Sequence, residues 1–122
     1  MNYTHEELKI LQSTIDHYGE ENQLDMAIEE MSELTKAICK YKRAVKERER
    51  DICHSTAKDV IFAKGDIVEE IADVLIMIEQ LTMIFDCKQR TAAIVSQKIK
   101  KLKGKIKNGD SCERSEENRY NF

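Results

Sequence analysis

The chain has 122 residues, enough for one domain with a real core. Charged residues make up 35% of it and aromatics 6%, proline is absent and glycine numbers four, a profile that favours helices over a sheet. The net charge of −3 excludes a generally basic nucleic-acid binder, and no apolar run approaches the ~18 residues needed to span a bilayer.

The polar, acidic start Met1-Asn2-Tyr3-Thr4-His5-Glu6-Glu7 is neither a secretory signal nor a transit peptide. Thr4-His5-Glu6-Glu7 matches a capping box and predicts the first helix, with Leu8, Leu11, Ile15 and Tyr18 as its stripe and Gly19 as its stop. Asn22 is then expected to cap a longer second helix, whose apolar residues Leu24, Ile28, Met31, Leu34, Ile38, Tyr41 and Val45 recur at three and four. That helix is expected to run out into solvent through the charged stretch Lys46 to Asp51.

Residues 52–64 carry no clear pattern, although Val60-Ile61-Phe62 could be a helical turn, a loop anchor or a subunit contact. Gly65-Asp66 is expected to reopen regular structure, with Asp66 and Glu69 as a second capping box. The third helix then carries Ile67, Ile71, Val74, Leu75, Ile78, Leu81 and Phe85. Asp86 with Gln89 predicts the cap of a fourth, whose stripe is Ile94, Ile99, Leu102 and Ile106. Residues 1–107 thus read as one all-α domain, a compact four-helix bundle with the second and third helices as its central pair, and 108–122 as a loose C-terminal tail.

Two acidic clusters lie on that central pair: Glu29-Glu30-Met31-Ser32-Glu33 and Glu69-Glu70-Ile71-Ala72-Asp73. Glu30 and Glu33 share a helix face, as do Glu70 and Asp73, and like charges at that spacing destabilise a bare helix. Glu30 stands only about 40° around the helix from Leu34, and Glu70 is related to Val74 in the same way. A single such pair reads as ordinary surface acid. Two of them, flanking the stripes of the most apolar helices, predict a cation between them. No histidine follows these acids at metal-ligand spacing, so the donors are oxygens and the ion is a hard one, Mg²⁺ or Mn²⁺, of the kind that handles phosphate.

Lys98, Lys100, Lys101, Lys103, Lys105 and Lys107 crowd the fourth helix. Most read as a solvated face, but Lys98, Lys101 and Lys105 recur at three and four beside the apolar stripe, from where Lys98 and Lys101 could reach phosphate. Nothing aromatic is interleaved with the run, which argues against nucleic acid as a partner. Cys39, Cys53, Cys87 and Cys112 show no CxxC or zinc spacing, so the expectation is a cytoplasmic protein with reduced thiols and no membrane partner. The third helix also has apolar residues beyond one stripe (Ile67, Val68, Ile76, Met77, Met83 and Ile84), which predicts a homo-oligomer.

With these motifs in place, the chain resembles the MazG-like all-α nucleoside triphosphate pyrophosphohydrolases, whose mark is EExxE on one helix and ExxD on the next. Here these are Glu29-Glu30-Met31-Ser32-Glu33 and Glu70-Ile71-Ala72-Asp73, and the resemblance spans roughly Tyr18 to Leu102. It implies hydrolysis of a nucleoside triphosphate, deoxy and modified forms included, to the monophosphate and pyrophosphate. It also implies Mg²⁺ on Glu30, Glu33, Glu70 and Asp73, with Glu29 close by, and a homodimer or homotetramer as the active unit. Glu33 or Glu29 would then activate water. The chain departs from the pattern in a longer connection from Arg43 to Gly65, which reads as an insertion at the subunit interface, and in a lysine-rich fourth helix. A phosphoribosyl-ATP pyrophosphohydrolase and a non-enzymatic helical interaction module are the alternative readings.

Overall fold

The computed structural model describes residues 1–50 and 57–109. Ile52, Cys53, His54, Cys112 and the tail beyond Gly109 lie outside the described residues. Four helices account for nearly all of what is described, and no strand occurs among those residues, so the chain is all-α as expected. They are α1 (His5–Tyr18), α2 (Glu20–Glu49), α3 (Ala57–Ile84) and α4 (Lys88–Lys107). None of them is long and apolar enough to cross a membrane. The chain divides into two compact units, Met1–Phe85 and Asp86–Phe122.

The first helix begins where its capping box predicts. The Glu7 backbone N–H donates to Thr4 Oγ1 at 3.1 Å, and the Thr4 N–H donates back to Glu7 Oε1 at 3.1 Å. Gly19 then ends α1 and opens α2 in a single residue, with φ +91°, a conformation that only glycine adopts without strain. Asn22 therefore does not cap α2. It sits inside the first turn, and its Nδ2 donates to the Tyr18 carbonyl at 2.7 Å, satisfying an orphan acceptor at the end of α1.

A second correction concerns α3. It starts at Ala57 and runs through Gly65 and Asp66 without a break, so the expected start and capping box there do not form. One glycine lowers helix stability by only about 1 kcal/mol, and burial of Val60 and Ala63 in the preceding turns outweighs that. The connection read from Arg43 to Gly65 is thus largely helix, the extended ends of α2 and α3. A third correction is that Asp86 takes the left-handed conformation, φ +48°, after α3, while Cys87 is the N-cap residue of α4 and accepts from Thr91 Oγ1 through its sulfur at 3.5 Å.

α2 and α3 form the dominant helix pair of the first unit, and α1 packs on both more sparingly. The pair is antiparallel. Gln23 meets Gln80, Glu30 meets Asp73 and Lys40 meets Asp66, so numbers fall on α3 as they rise on α2. The inward seam of α2 is Gln23, Ala27, Glu30, Leu34, Ala37, Tyr41 and Ala44, and that of α3 is Val60, Ala63, Ile67, Glu70, Val74 and Met77. Both recur at three and four, the spacing that keeps two long helices in register.

This seam is not the stripe expected from apolar residues alone. Ile28, Met31 and Ile38 are exposed, as are Val68, Ile71 and Ile78 on α3. Each of these follows a seam residue by one position, about 100° around its helix. In an antiparallel pair that same offset turns both sets to one side, so a single apolar face flanks the seam. In the second unit, α4 carries Ile94, Ile99 and Ile106 exposed beside its lysines.

Candidate metal centre and its groove

The seam carries two carboxylates at positions where a helix pair ordinarily places apolar side chains. Glu30 and Glu70 are half-buried there, and Asp73 stands exposed beside them. One oxygen from each of the three lies within 4.8 Å of the others. Three anionic oxygens at that separation repel strongly when partly withdrawn from water. Burial pushes the Glu30 carboxyl above its ordinary value, and the charges of Asp73, Glu70, Glu29 and Glu33 push it further. Glu70 is raised for the same reason, by burial first and then by Asp73, Glu33, Glu69 and Asp66. Neither histidine of the described residues nor either described cysteine joins the group, so the donor set is all oxygen and suits a hard divalent ion.

Glu33, one turn on from Glu30, is half-buried, and its Oε1 is 3.1 Å from Lys36 Nζ rather than among the three gathered oxygens. It lines, with Glu70, a polar groove that begins at the cluster. Glu29 is exposed next to Glu30 and adds to the negative field there. Lys98 and Lys101 lie exposed on α4, in the second unit.

Two stretches of groove adjoin the cluster within the first unit, on the side of the helix pair opposite the apolar face. Toward the N-terminus of α2 is a mostly apolar groove of about 440 Å³, with Tyr18, Met26, Ile76 and Met77 among its walls and Glu30 and Asp73 at one end. At its floor Gln23 Nε2 donates to Gln80 Oε1 at 2.6 Å, and both residues are buried. Toward the C-terminus of α2 is the polar groove, about 340 Å³, lined by Glu33, Lys36, Ala37, Lys40, Arg43, Asp66 and Glu70. Lys40 Nζ there is 3.6 Å from Asp66 Oδ2.

The glutamine pair and the Lys40–Arg43 wall were not anticipated from the sequence. A signal was present for the first: Gln23 is seven residues before Glu30, and Gln80 is seven after Asp73, so each repeats the face of an acid already singled out. For the second there was none, because the continuity of α3 through Gly65 is what places Asp66 and the preceding turn beside α2.

No protein-family model, no curated protein and no solved structure matches this chain.

Proposed function

We propose that the chain is a Mg²⁺-dependent nucleoside triphosphate pyrophosphohydrolase, with Mn²⁺ as a substitute ion. The observation that supports this best is the convergence of Glu30, Glu70 and Asp73 at the seam of the helix pair. Surface acids gain nothing from such a position, whereas a metal-binding set gains ligands held on two rigid helices. An ion bound there would supply charge neutralisation to the phosphate oxygens as the anhydride breaks.

The chain's own groups then divide the work. Glu30, Glu70 and Asp73 would hold the ion, with Glu33, now paired with Lys36, as a further candidate ligand. Glu33 or Glu29 would orient the water and take its proton. The water oxygen bonds to the α-phosphorus, the bond from that phosphorus to the bridging oxygen breaks, and the electron pair stays on the β-phosphate. The products are a nucleoside monophosphate and pyrophosphate. The apolar groove suits the flat, weakly polar face of a nucleobase, with the Gln23–Gln80 amides at its floor.

A panel of ribo-, deoxyribo- and modified nucleoside triphosphates, with phosphoribosyl-ATP, tests this in the presence of Mg²⁺. Release of pyrophosphate, and not orthophosphate, is the expected result. No turnover of any member, together with no thermal stabilisation by Mg²⁺ or Mn²⁺, would return the acids to the surface and favour an interaction module, a reading that the exposed apolar face of α2 and α3 also fits.

A further inference from the structure

The groove beyond the acidic cluster has a charge balance that bears on what it binds. Its walls carry Glu33, Asp66 and Glu70 against Lys36, Lys40 and Arg43, three acids and three bases. Two of the bases are already engaged, Lys36 with Glu33 and Lys40 with Asp66. Arg43 has no such partner among the described residues, and it also lines the next hollow along the same side, with Lys40, Glu47, Asp59 and Phe62. By itself the groove is neutral and offers little to an anion. With Glu30 and Asp73 of the adjoining cluster included, acids outnumber bases by two, and a divalent ion at Glu30, Glu70 and Asp73 brings that balance back to zero, so a polyanion is admitted only together with the metal.

We propose that Lys40 and Arg43 hold the β- and γ-phosphates of the substrate, and pyrophosphate after cleavage, in this groove. The inference rests on the pyrophosphohydrolase reading and adds the direction in which the substrate lies: base toward Tyr18 and Met26, phosphate tail toward Arg43. Three observations carry it. Lys36, Lys40 and Arg43 recur at four and three, forming one ridge along α2. Lys40 and Arg43 are seven and ten residues past Glu33, about 10 and 15 Å along the helix axis, and the polar groove connects them to Glu70 over that distance. The apolar groove lies at the opposite end of the cluster, so along one side of the helix pair an apolar stretch, the acids and a mixed-charge stretch that carries Lys40 and Arg43 follow one another. Arginine matches this role because its planar fork can take two phosphate oxygens at once. Because the electron pair of the cleaved bond stays on the β-phosphate, positive charge placed there also stabilises the leaving group as it forms.

The test is calorimetric titration of inorganic pyrophosphate with Mg²⁺ into the full chain, beside steady-state kinetics. Lys40 and Arg43 are exposed, so their replacement should leave the melting temperature nearly unchanged. Arg43→Ala and Lys40→Ala are each expected to weaken magnesium pyrophosphate binding about 10-fold, and Arg43→Lys less than Arg43→Ala. Affinity for the nucleoside monophosphate should not change. Asp66→Asn breaks the same ion pair as Lys40→Ala but leaves the cation, and is expected to tighten pyrophosphate binding. Wild-type affinity for magnesium pyrophosphate in an Arg43→Ala/Lys40→Ala double variant that still hydrolyses nucleotides would overturn this inference alone. Pyrophosphate binding that depends on Arg43 in a chain that cleaves no triphosphate would support the anion site and overturn the proposed function.

Discussion

At the scale of single residues, the proposed metal site makes the seam acids the positions where turnover and stability should respond together. Asp73→Asn and Glu30→Gln each keep the side chain's shape and remove one negative charge from the proposed ligand set. Each is expected to lower kcat/KM by at least ~100-fold, about 2.7 kcal/mol of transition-state stabilisation, while raising the melting temperature of the metal-free protein. Normal turnover by Asp73→Asn at saturating Mg²⁺ would remove that residue from the site. A pH dependence follows from the same charges. The Glu30 and Glu70 carboxyls are raised in the folded chain, so the fold binds their protons more tightly than the unfolded chain does. Their repulsion therefore opposes folding fully at neutral pH and is relieved as pH falls through the raised values toward the ordinary 4.5. Glu7 has the opposite sign: hydrogen bonds from Thr4 lower its carboxyl, so the stability it contributes is present above 4.5 and lost below it. Thermal melts without metal should thus show a maximum between pH 4.5 and neutrality. Stabilisation by Mg²⁺ should fade over the same acid range, because protons and the ion compete for Glu30 and Glu70.

At the scale of elements, the α2–α3 pair makes two quantitative tests possible. Gly65 lies in the interior of α3 with ordinary helical backbone, and an added Cβ would meet no atom within 4 Å. Gly65→Ala is expected to stabilise the protein by about 0.5–1 kcal/mol in chemical denaturation, whereas a true helix start at that position would make the change neutral or harmful. The buried glutamines behave differently. Gln80→Leu strands the Gln23 amide and should lower stability by about 1–3 kcal/mol, and Gln23→Leu/Gln80→Leu together should recover most of it. A double variant no more stable than the single one would mean that the amides are solvated through the groove rather than dependent on each other.

At the scale of the whole molecule, the apolar side of the helix pair is the dominant feature not explained by packing within the first unit. Ile28 and Val68, 65% and 66% exposed, stand on this side with Met31, Ile38, Ile71 and Ile78. A face of this kind on a stable protein ordinarily meets a partner. We expect a second copy of the chain to cover it, because two antiparallel helix pairs with the same flat apolar side are self-complementary about a two-fold axis. Light scattering at micromolar concentration should give at least a dimer, and Val68→Glu should reduce its mass to that of one chain without loss of helix content. A monomeric wild type would contradict the expectation.

Helix number, the capping box at Thr4 and the stop at Gly19 were all legible in the sequence, because each depends on residues within one or two turns of each other. Periodicity also placed Glu30 and Glu70 beside apolar stripes. What the sequence left open was decided across the helix pair. The apolar stripe of α2 mixed two faces, and only pairing with α3 turned Leu34 and Tyr41 inward while leaving Ile28 and Ile38 out. Gly65 and Asp66 carry local signals for a helix start, which burial of Val60 and Ala63 against α2 overrides. Antiparallel register likewise decided that Glu30, Glu70 and Asp73 gather while Glu33 turns to Lys36, and that Lys40 meets Asp66. Those outcomes depend on which residue stands opposite which, a relation between positions 26 to 43 apart in the chain that local propensity does not encode.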